Sequence, residues 1–368
     1  MRKNSMMKIP WAKPYIDRNE IEEVSHSLKI NWLSQGPKVA KLETIFKDLS
    51  QREYVVAVSN GTVALDMALM CLSIRPGEEV IVPAHTYFAT GASVARMGAI
   101  PVFADVNVDT FTIDPVDVRK KITKETRCII CVDLGGNPCD HDALREISLE
   151  FGIPILSDAA QSLGGEFDGK PLFNYGNITT TSLHTAKIVN AVEGGMIFTD
   201  RKEHFELLIR LRNQGEEPGY KFNHTVLGFN ARLSDLHAAI GLGQMKKYDA
   251  IVRKRSYVAM KYKESLSGLN NIKIVKVREN GKNGWFFFSI LAEQRDELAD
   301  YLREHGVETR MCYPIPLYKQ KAFNQFDYEK CQNTEYICKH IITLPMYYEI
   351  ADDDIEYVVK KIKTFYTK

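Results

Sequence analysis

The feature that most constrains this chain is a rhythm in its first two thirds, where short apolar runs alternate with stretches carrying apolar residues every three or four positions. The runs at 54–58, 79–82, 100–104, 127–134 and 153–157 read as strands, and 63–72, 88–97 and 143–151 between them read as helices. Strand and helix alternating in this way predict βαβ units and a doubly wound, mostly parallel sheet. Two more strands, expected at 180–184 and 196–199, flank a segment considered below. A helix from Leu233 onward runs into a basic stretch at 246–255, where we place a boundary between a large domain, 1–248, and a smaller α+β domain, 249–368. The second part carries expected strands at 272–277 and 285–291 and helices at 293–305 and 350–367.

Composition removes several classes of function. Forty-eight basic against 47 acidic side chains give a net charge of +1, so no broad basic field draws the chain onto nucleic acid. Residues 1–8 hold basic side chains without an apolar core of signal-peptide length behind them, and no later run is long enough to span a bilayer. The expectation is a cytoplasmic protein. Seven cysteines, an odd number scattered over a long chain, read as reduced thiols. Cys128 and Cys131 form a C-x-x-C inside an apolar run, where a buried strand is the plainer reading.

In an open α/β sheet the ligand sits beyond the carboxyl ends of the strands, so the residues after each run are the ones to inspect. After 54–58 comes Ser59-Asn60-Gly61-Thr62, which either caps the next helix or offers backbone amides and the Thr62 hydroxyl to a phosphate. After 79–82 come Tyr87 and Phe88, able to cover a flat ring or simply to pack. After 153–156 come Asp158 and Gln161, a carboxylate that could face a cationic ring nitrogen or cap a helix. Finally, Ser182-Leu183-His184-Thr185-Ala186-Lys187 puts one lysine in an uncharged stretch between two strands, where desolvation would make its amine a nucleophile toward a carbonyl.

A phosphate cup, an aromatic cover, a carboxylate for a ring nitrogen and a buried lysine together meet the needs of pyridoxal 5'-phosphate. Their order also resembles the DegT-type nucleotide-sugar aminotransferases, a branch of the aspartate-aminotransferase fold (fold type I), from Trp32 to about Pro345. The matching segments are NWLSQG at 31–36, SNGT at 59–62, PAHTYFAT at 83–90, SDAAQ at 157–161, SLHTAK at 182–187 with EGG at 193–195, GFNAR at 228–232 and YPIPL at 313–317. The resemblance implies Lys187 as the lysine bound covalently to the cofactor, Asp158 on the ring nitrogen, Gln161 near the ring hydroxyl and Tyr87 stacked on the ring. It further implies Gly61, Thr62 and Ser182 at the phosphate, with Asn230 reaching the phosphate of a neighbouring subunit in a homodimer. The reaction so implied moves an amino group from an amino acid, by family habit glutamate, to a nucleotide-linked keto sugar. The segment 31–36 is similar to that of members acting at carbon 4 of a 4-keto-6-deoxyhexose, for bacterial surface glycan of the O-antigen type, while related segments occur in members acting at carbon 3.

Asp133 and Gly135 stand where that family more often has His and an aromatic, and Tyr318 where it often has His, departures that touch the sugar pocket and not the cofactor. A dehydratase relative would carry histidine in place of Lys187, and a non-catalytic regulatory relative would have no need of every cofactor-contacting position. A nicotinamide or flavin enzyme would want a glycine-rich turn after a strand, but Gly241-x-Gly243 falls in an expected helix. Asp133, Cys139, Asp140, His141 and Asp142 suggest a metal only superficially: four are consecutive, and helix capping explains them better. No metal is expected.

Overall fold

The computed structural model describes residues 9–367. Its main sheet comprises β1 (Tyr54–Val58), β2 (Glu79–Pro83), β3 (Ile100–Ala104), β4 (Thr126–Val132), β5 (Ile155–Asp158), β8 (Ile178–Ser182) and β9 (Gly195–Thr199), in the spatial order β1-β9-β8-β5-β4-β2-β3. All neighbours pair parallel except β9, which runs antiparallel to both β8 and β1. The fold is therefore α/β with a mostly parallel sheet, as the alternation of elements predicts. A small antiparallel ladder at its flank joins β6 (Glu166–Phe167), β7 (Lys170–Pro171) and β11 (Gly281–Lys282).

Period-two alternation sends Val56 and Val58 to one face of the sheet and Val55 and Ala57 to the other. On the first face lie α3 (Gly61–Cys71), α4 (Phe88–Arg96) and α7 (Lys202–Arg212), through residues such as Leu65, Val94 and Leu208. The second face is covered by α2 (Pro37–Ser50) and α8 (Asp235–Met245) near β1 and β9, and by α5 (Pro115–Lys121) and α6 (His141–Phe151) near β3 and β4. Helix α1 (Arg18–Lys29), which no sequence signal singled out, packs on α8.

The glycine pair at 241 and 243 lies inside α8. A Cβ at Gly243 would stand 2.8 Å from the Glu20 Cα, so this glycine serves close approach of two helices and not a dinucleotide. Cys128 and Cys131 are fully buried in β4, and all seven cysteines are free thiols.

Beyond the long α9 (Tyr248–Leu266), the strands β10 (Ile272–Ile274), β12 (Phe288–Ala292) and β13 (Ile341–Leu344) form a second antiparallel sheet, packed with α10 (Arg295–Glu304), α11 (Gln332–His340) and α12 (Asp352–Tyr366). The expected division at 248/249 falls in the first turn of α9. Ile9 bridges Val307, the Trp11 N–H donates to Glu308 and the Trp11 carbonyl accepts from Met346, so the first described residues pack against segments of the C-terminal part. Element ends also differ. The strand expected to reach 134 stops at Val132 because Gly135 turns left-handed at φ +69, and the one expected from 285 starts at Phe288 because Trp285 takes φ +53.

In Gly243→Ala the added methyl must push α1 away from α8. Overpacking of about 1–3 kcal/mol outweighs the roughly 0.5–1 kcal/mol that alanine gains over glycine in a helix. The urea midpoint is therefore expected to fall; an unchanged or higher midpoint would mean that α1 is free to retreat.

Candidate functional site

The carboxyl ends of β1, β5 and β8 open into a cavity of about 670 Å³ whose lining includes Gly61, Thr62, Tyr87, Asp158, Gln161, Ser182 and Lys187. Seven of the eight residues singled out from sequence thus meet in one place. Asn230 does not: it is exposed, bridged to Asn213, and lies outside the lining of this cavity. Trp32 is likewise 52% exposed in the turn between α1 and α2, its indole N–H reaching only the Gln35 carbonyl.

At the start of α3 the SNGT turn caps the helix without using all of its amides. Asn60 is the N-cap and its side chain accepts from the Val63 N–H at 2.9 Å, while Ala64 N–H bonds the Asn60 carbonyl. That leaves Gly61 and Thr62, both lining the cavity, with amides that a helix start does not use internally. Fit is close here: a Cβ on Gly61 would stand 2.8 Å from that of Ser182, and one on Gly195 would stand 2.7 Å from the Asn60 carbonyl carbon. Glycine at 61 keeps the backbone exposed beside Ser182, a cradle that suits an oxyanion.

Asp158, 5% exposed at the end of β5, accepts from the Thr90 hydroxyl at 2.8 Å and from the Ala160 N–H at 3.3 Å. Burial raises its pKa, while the Thr90 bond and the charge of Lys187 pull it back. The helix-capping alternative for this residue is not what the structure has. Gln161 is fixed at both ends: its carbonyl oxygen accepts from the Gly135 N–H at 2.7 Å, so its NH₂ faces the Tyr313 hydroxyl at 3.1 Å. Tyr87, 57% exposed at the mouth, lies 5.7 Å from the Tyr313 ring. The Thr180 hydroxyl is buried against the cavity without a hydrogen-bond partner among the described residues.

Lys187 sits on the loop joining the antiparallel neighbours β8 and β9. The loop is tied to itself by Leu183 N–H to Gly194 O, Ala191 N–H to Leu183 O and Thr185 N–H to Val192 O, at 2.7–2.9 Å. Beneath it Ile188, Val189 and Ala191 are buried, and the Lys187 Nζ stands 4.7 Å from the Phe286 ring centroid. Desolvation lowers the pKa of this amine to about 8, against an opposing pull from Asp158 and Cys312. A lysine so placed is a ready nucleophile and proton carrier near neutral pH.

Several contributors had weak sequence signals or none. Tyr313 stood in a quoted segment without a role, Phe286 was read as strand, Thr90 was passed over, and Trp11, which lines the cavity from the N-terminal segment, carried no motif. Asp133, a departure from the family pattern and a member of the doubtful metal cluster, is fully buried and accepts from the Cys139 N–H at 2.9 Å and the Ser162 hydroxyl at 3.2 Å, with His141 Nε2 at 3.0 Å. Capping is the role of Asp140, whose side chain accepts from the Ala143 N–H. Among the described residues no group of three or more His, Cys, Asp or Glu side chains could hold a metal ion.

A family model described as the DegT/DnrJ/EryC1/StrS aminotransferase family matches residues 14–363. The chain is 32% identical over 370 residues to the GDP-perosamine synthase of Escherichia coli O157:H7, covering 98% of this chain and all of that one. It is 36% identical to a pleiotropic regulatory protein of Geobacillus stearothermophilus, over 90% of each chain. Among solved structures, a sugar aminotransferase of Streptococcus pneumoniae in its PLP form superimposes with a TM-score of 0.91 at 27% identity, covering 97% of this chain and 98% of that one.

The cofactor-free protein offers a direct check on the site's electrostatics. In competitive acetylation read by mass spectrometry, Lys187 is expected to half-titrate near pH 8, well below surface lysines. Because the Asp158 charge holds the amine's pKa up, Asp158→Asn should move that midpoint lower still. A midpoint that stays in the ordinary lysine range would contradict the desolvated geometry.

Proposed function

The chain belongs to the DegT/DnrJ/EryC1/StrS aminotransferase family and is a pyridoxal-phosphate-dependent enzyme, and from that premise we propose that it transfers the amino group of L-glutamate to carbon 4 of a nucleotide-linked 4-keto-6-deoxyhexose. The observation that carries the reading is a desolvated amine, Lys187, sharing one cavity with a buried carboxylate, Asp158, beside an open helix start. The residues present fit the cofactor. Gly61, Thr62 and Ser182 would hold its phosphate, Asp158 its ring nitrogen, Gln161 the neighbourhood of its ring hydroxyl, Tyr87 one ring face, and Lys187 the covalent link. Bound there, the cofactor supplies a carbonyl that takes up the donor's amino group and a cationic ring that withdraws electrons.

The chain's own residues supply the rest. Thr90 and the Ala160 N–H favour the ionised form of Asp158 against the cost of its burial, and an anion at that point keeps a proton on the ring nitrogen. Gln161, its carbonyl already engaged by Gly135, can only present donors to the cavity. Lys187, poised near neutral pH, takes the proton from the donor's α-carbon and returns one to the sugar carbon that receives nitrogen.

The carbon-4 assignment is supported by the likeness of NWLSQG at 31–36 to members acting there. Trp32, 52% exposed, and Asn230, also exposed, do not line their own chain's cavity, an arrangement that suits action on the site of a second subunit. We therefore infer a homodimer with shared sites, making an amino sugar for a surface glycan in the cytosol. The alternative, amination at carbon 3, differs only in which ketone is presented.

Incubation with glutamate and either a 4-keto or a 3-keto nucleotide sugar, followed by NMR location of the new carbon–nitrogen bond, tests the assignment. Product from the 3-keto sugar alone would refute carbon 4. Lys187→Ala should cost about a hundredfold or more in turnover, the scale of a lost acid–base group; wild-type rates would remove Lys187 from the chemistry. Mixing Lys187→Ala with Asn230→Ala subunits should restore about a quarter of wild-type activity, because a mixed dimer gathers both lesions in one pocket and leaves the other intact. A mixture no better than either parent refutes shared sites.

A further inference from the structure

Lys187 borders more than one cavity. Besides the one described, a second of about 370 Å³ lies along its other flank, walled by the segment from Trp11 to Tyr15 and by Glu308, Arg310 and Tyr348. Its walls are firmly held. The Tyr15 carbonyl accepts from Gln244 at 2.7 Å and from Lys247 at 3.2 Å, the Tyr15 and Tyr348 rings meet at 4.6 Å, and Trp11 is tied to Glu308 and Met346.

The lining is unbalanced in charge: Lys13, Lys187, Arg255 and Arg310 face the single carboxylate Glu308. Lys13 is drawn outward by Glu349 and Arg310 is paired with Glu308, a contact that leaves most of its guanidinium donors free. Arg255 has no such partner. It is 7% exposed, spends its Nη1 on the carbonyls of Trp285 and Phe286 at 3.0 and 2.9 Å, and keeps its Nε without a hydrogen bond. Burial alone pushes it down to about 10, and no carboxylate of the described residues opposes that. An uncompensated buried cation is costly, and a wall of cations around a cavity calls for an anion inside it.

We propose that this second cavity is the subsite for the amino donor, taking the carboxylates of a dicarboxylic amino acid, with Arg310 in direct contact and Arg255 supplying positive potential from the wall. The proposal rests on the reading of Lys187 as the reactive lysine. Arg310 and Lys187 line the same second cavity, and both lie within electrostatic reach of the Cys312 thiol on the wall of the larger one. The larger cavity is then left to the cofactor and the sugar.

The test uses the holoenzyme and glutarate, which has both carboxylates of glutamate but no amino group and so binds without reacting. Calorimetry should show glutarate binding to wild type, at least tenfold weaker binding to Arg310→Gln, and partial recovery in Arg310→Lys. In the half-reaction with glutamate alone, followed by the cofactor's absorbance, Arg310→Gln should raise the glutamate concentration for half-maximal rate by a similar factor. In the full reaction the KM for the nucleotide sugar should change less than twofold. No glutarate binding to wild type, unchanged binding in Arg310→Gln, or equal losses for glutamate and sugar would each overturn the subsite. Because calorimetry and the half-reaction need no sugar, they stand or fall separately from the acceptor assignment; a wild-type enzyme that binds glutarate yet leaves its cofactor band unchanged by glutamate would instead refute the proposed function.

Discussion

Putting an amine and a carboxylate out of water in the same cavity is the constraint to which the surrounding architecture answers. An isolated buried charge costs several kcal/mol, so each group is given partners that lower the cost without cancelling it. Asp158 receives a hydroxyl from Thr90 and a backbone amide; Lys187 receives the face of Phe286 and the distant charge of Asp158. These partners come from α4, β5, the loop after β8 and the segment before β12, so the site exists only when both sheets are in place. Glycine at 61 and 195 follows from the same need, since the helix start can approach Ser182 and the closing strand only where no side chain intervenes.

Most of the parallel core was legible because strands such as β1, β2 and β4 are short, largely buried apolar runs and the crossover helices show their own period, whereas β8, Ile178 followed by three threonines and a serine, carries no such run. Strand β1 and the start of β12's neighbourhood illustrate the two outcomes. Tyr54–Val58 is a clean run bounded by Glu53 and Ser59, and its ends fall where expected. The run 285–291 is just as apolar, but its first residues leave the ladder because Trp285 adopts a left-handed backbone that hydrophobicity does not encode. Helix α1 is hard to read from sequence because its apolar face is thin: it buries only Glu20 and Ser27 and is held by the Glu20 carboxylate to Gln244 of α8 and to Lys247, whereas α2 does bury an apolar stripe, Val39, Leu42 and Phe46.

Within the site, residues on strand ends were visible one by one, since strand order alone brings them together. Those supplied by distant segments were not. Trp11 and Arg310 reach Lys187 from opposite ends of the chain, and nothing local marks either as belonging to a cavity. The buried contact of Asp133 with His141 shows the same limit at shorter range: eight residues separate the two, and only the turn through Gly135 and Gly136 folds one back onto the other.

The bridge between Ile9 and Val307 sets an order of events during synthesis. The N-terminal segment leaves the ribosome first, yet the sheet edge it lies against, and the Tyr348 ring that meets Tyr15, emerge almost last. The large parallel sheet has all its strands by residue 199 and can begin to consolidate early, as N-terminal units generally do. Until nearly the whole chain is out, however, Ile9 and Trp11 lack Val307, Glu308 and Met346, Tyr15 has only Gln244 and Lys247, and the walls around the second flank of Lys187 stay open. A truncated chain would thus leave Lys187 open along that flank, and the second cavity takes shape only as the last part of the chain folds against the first.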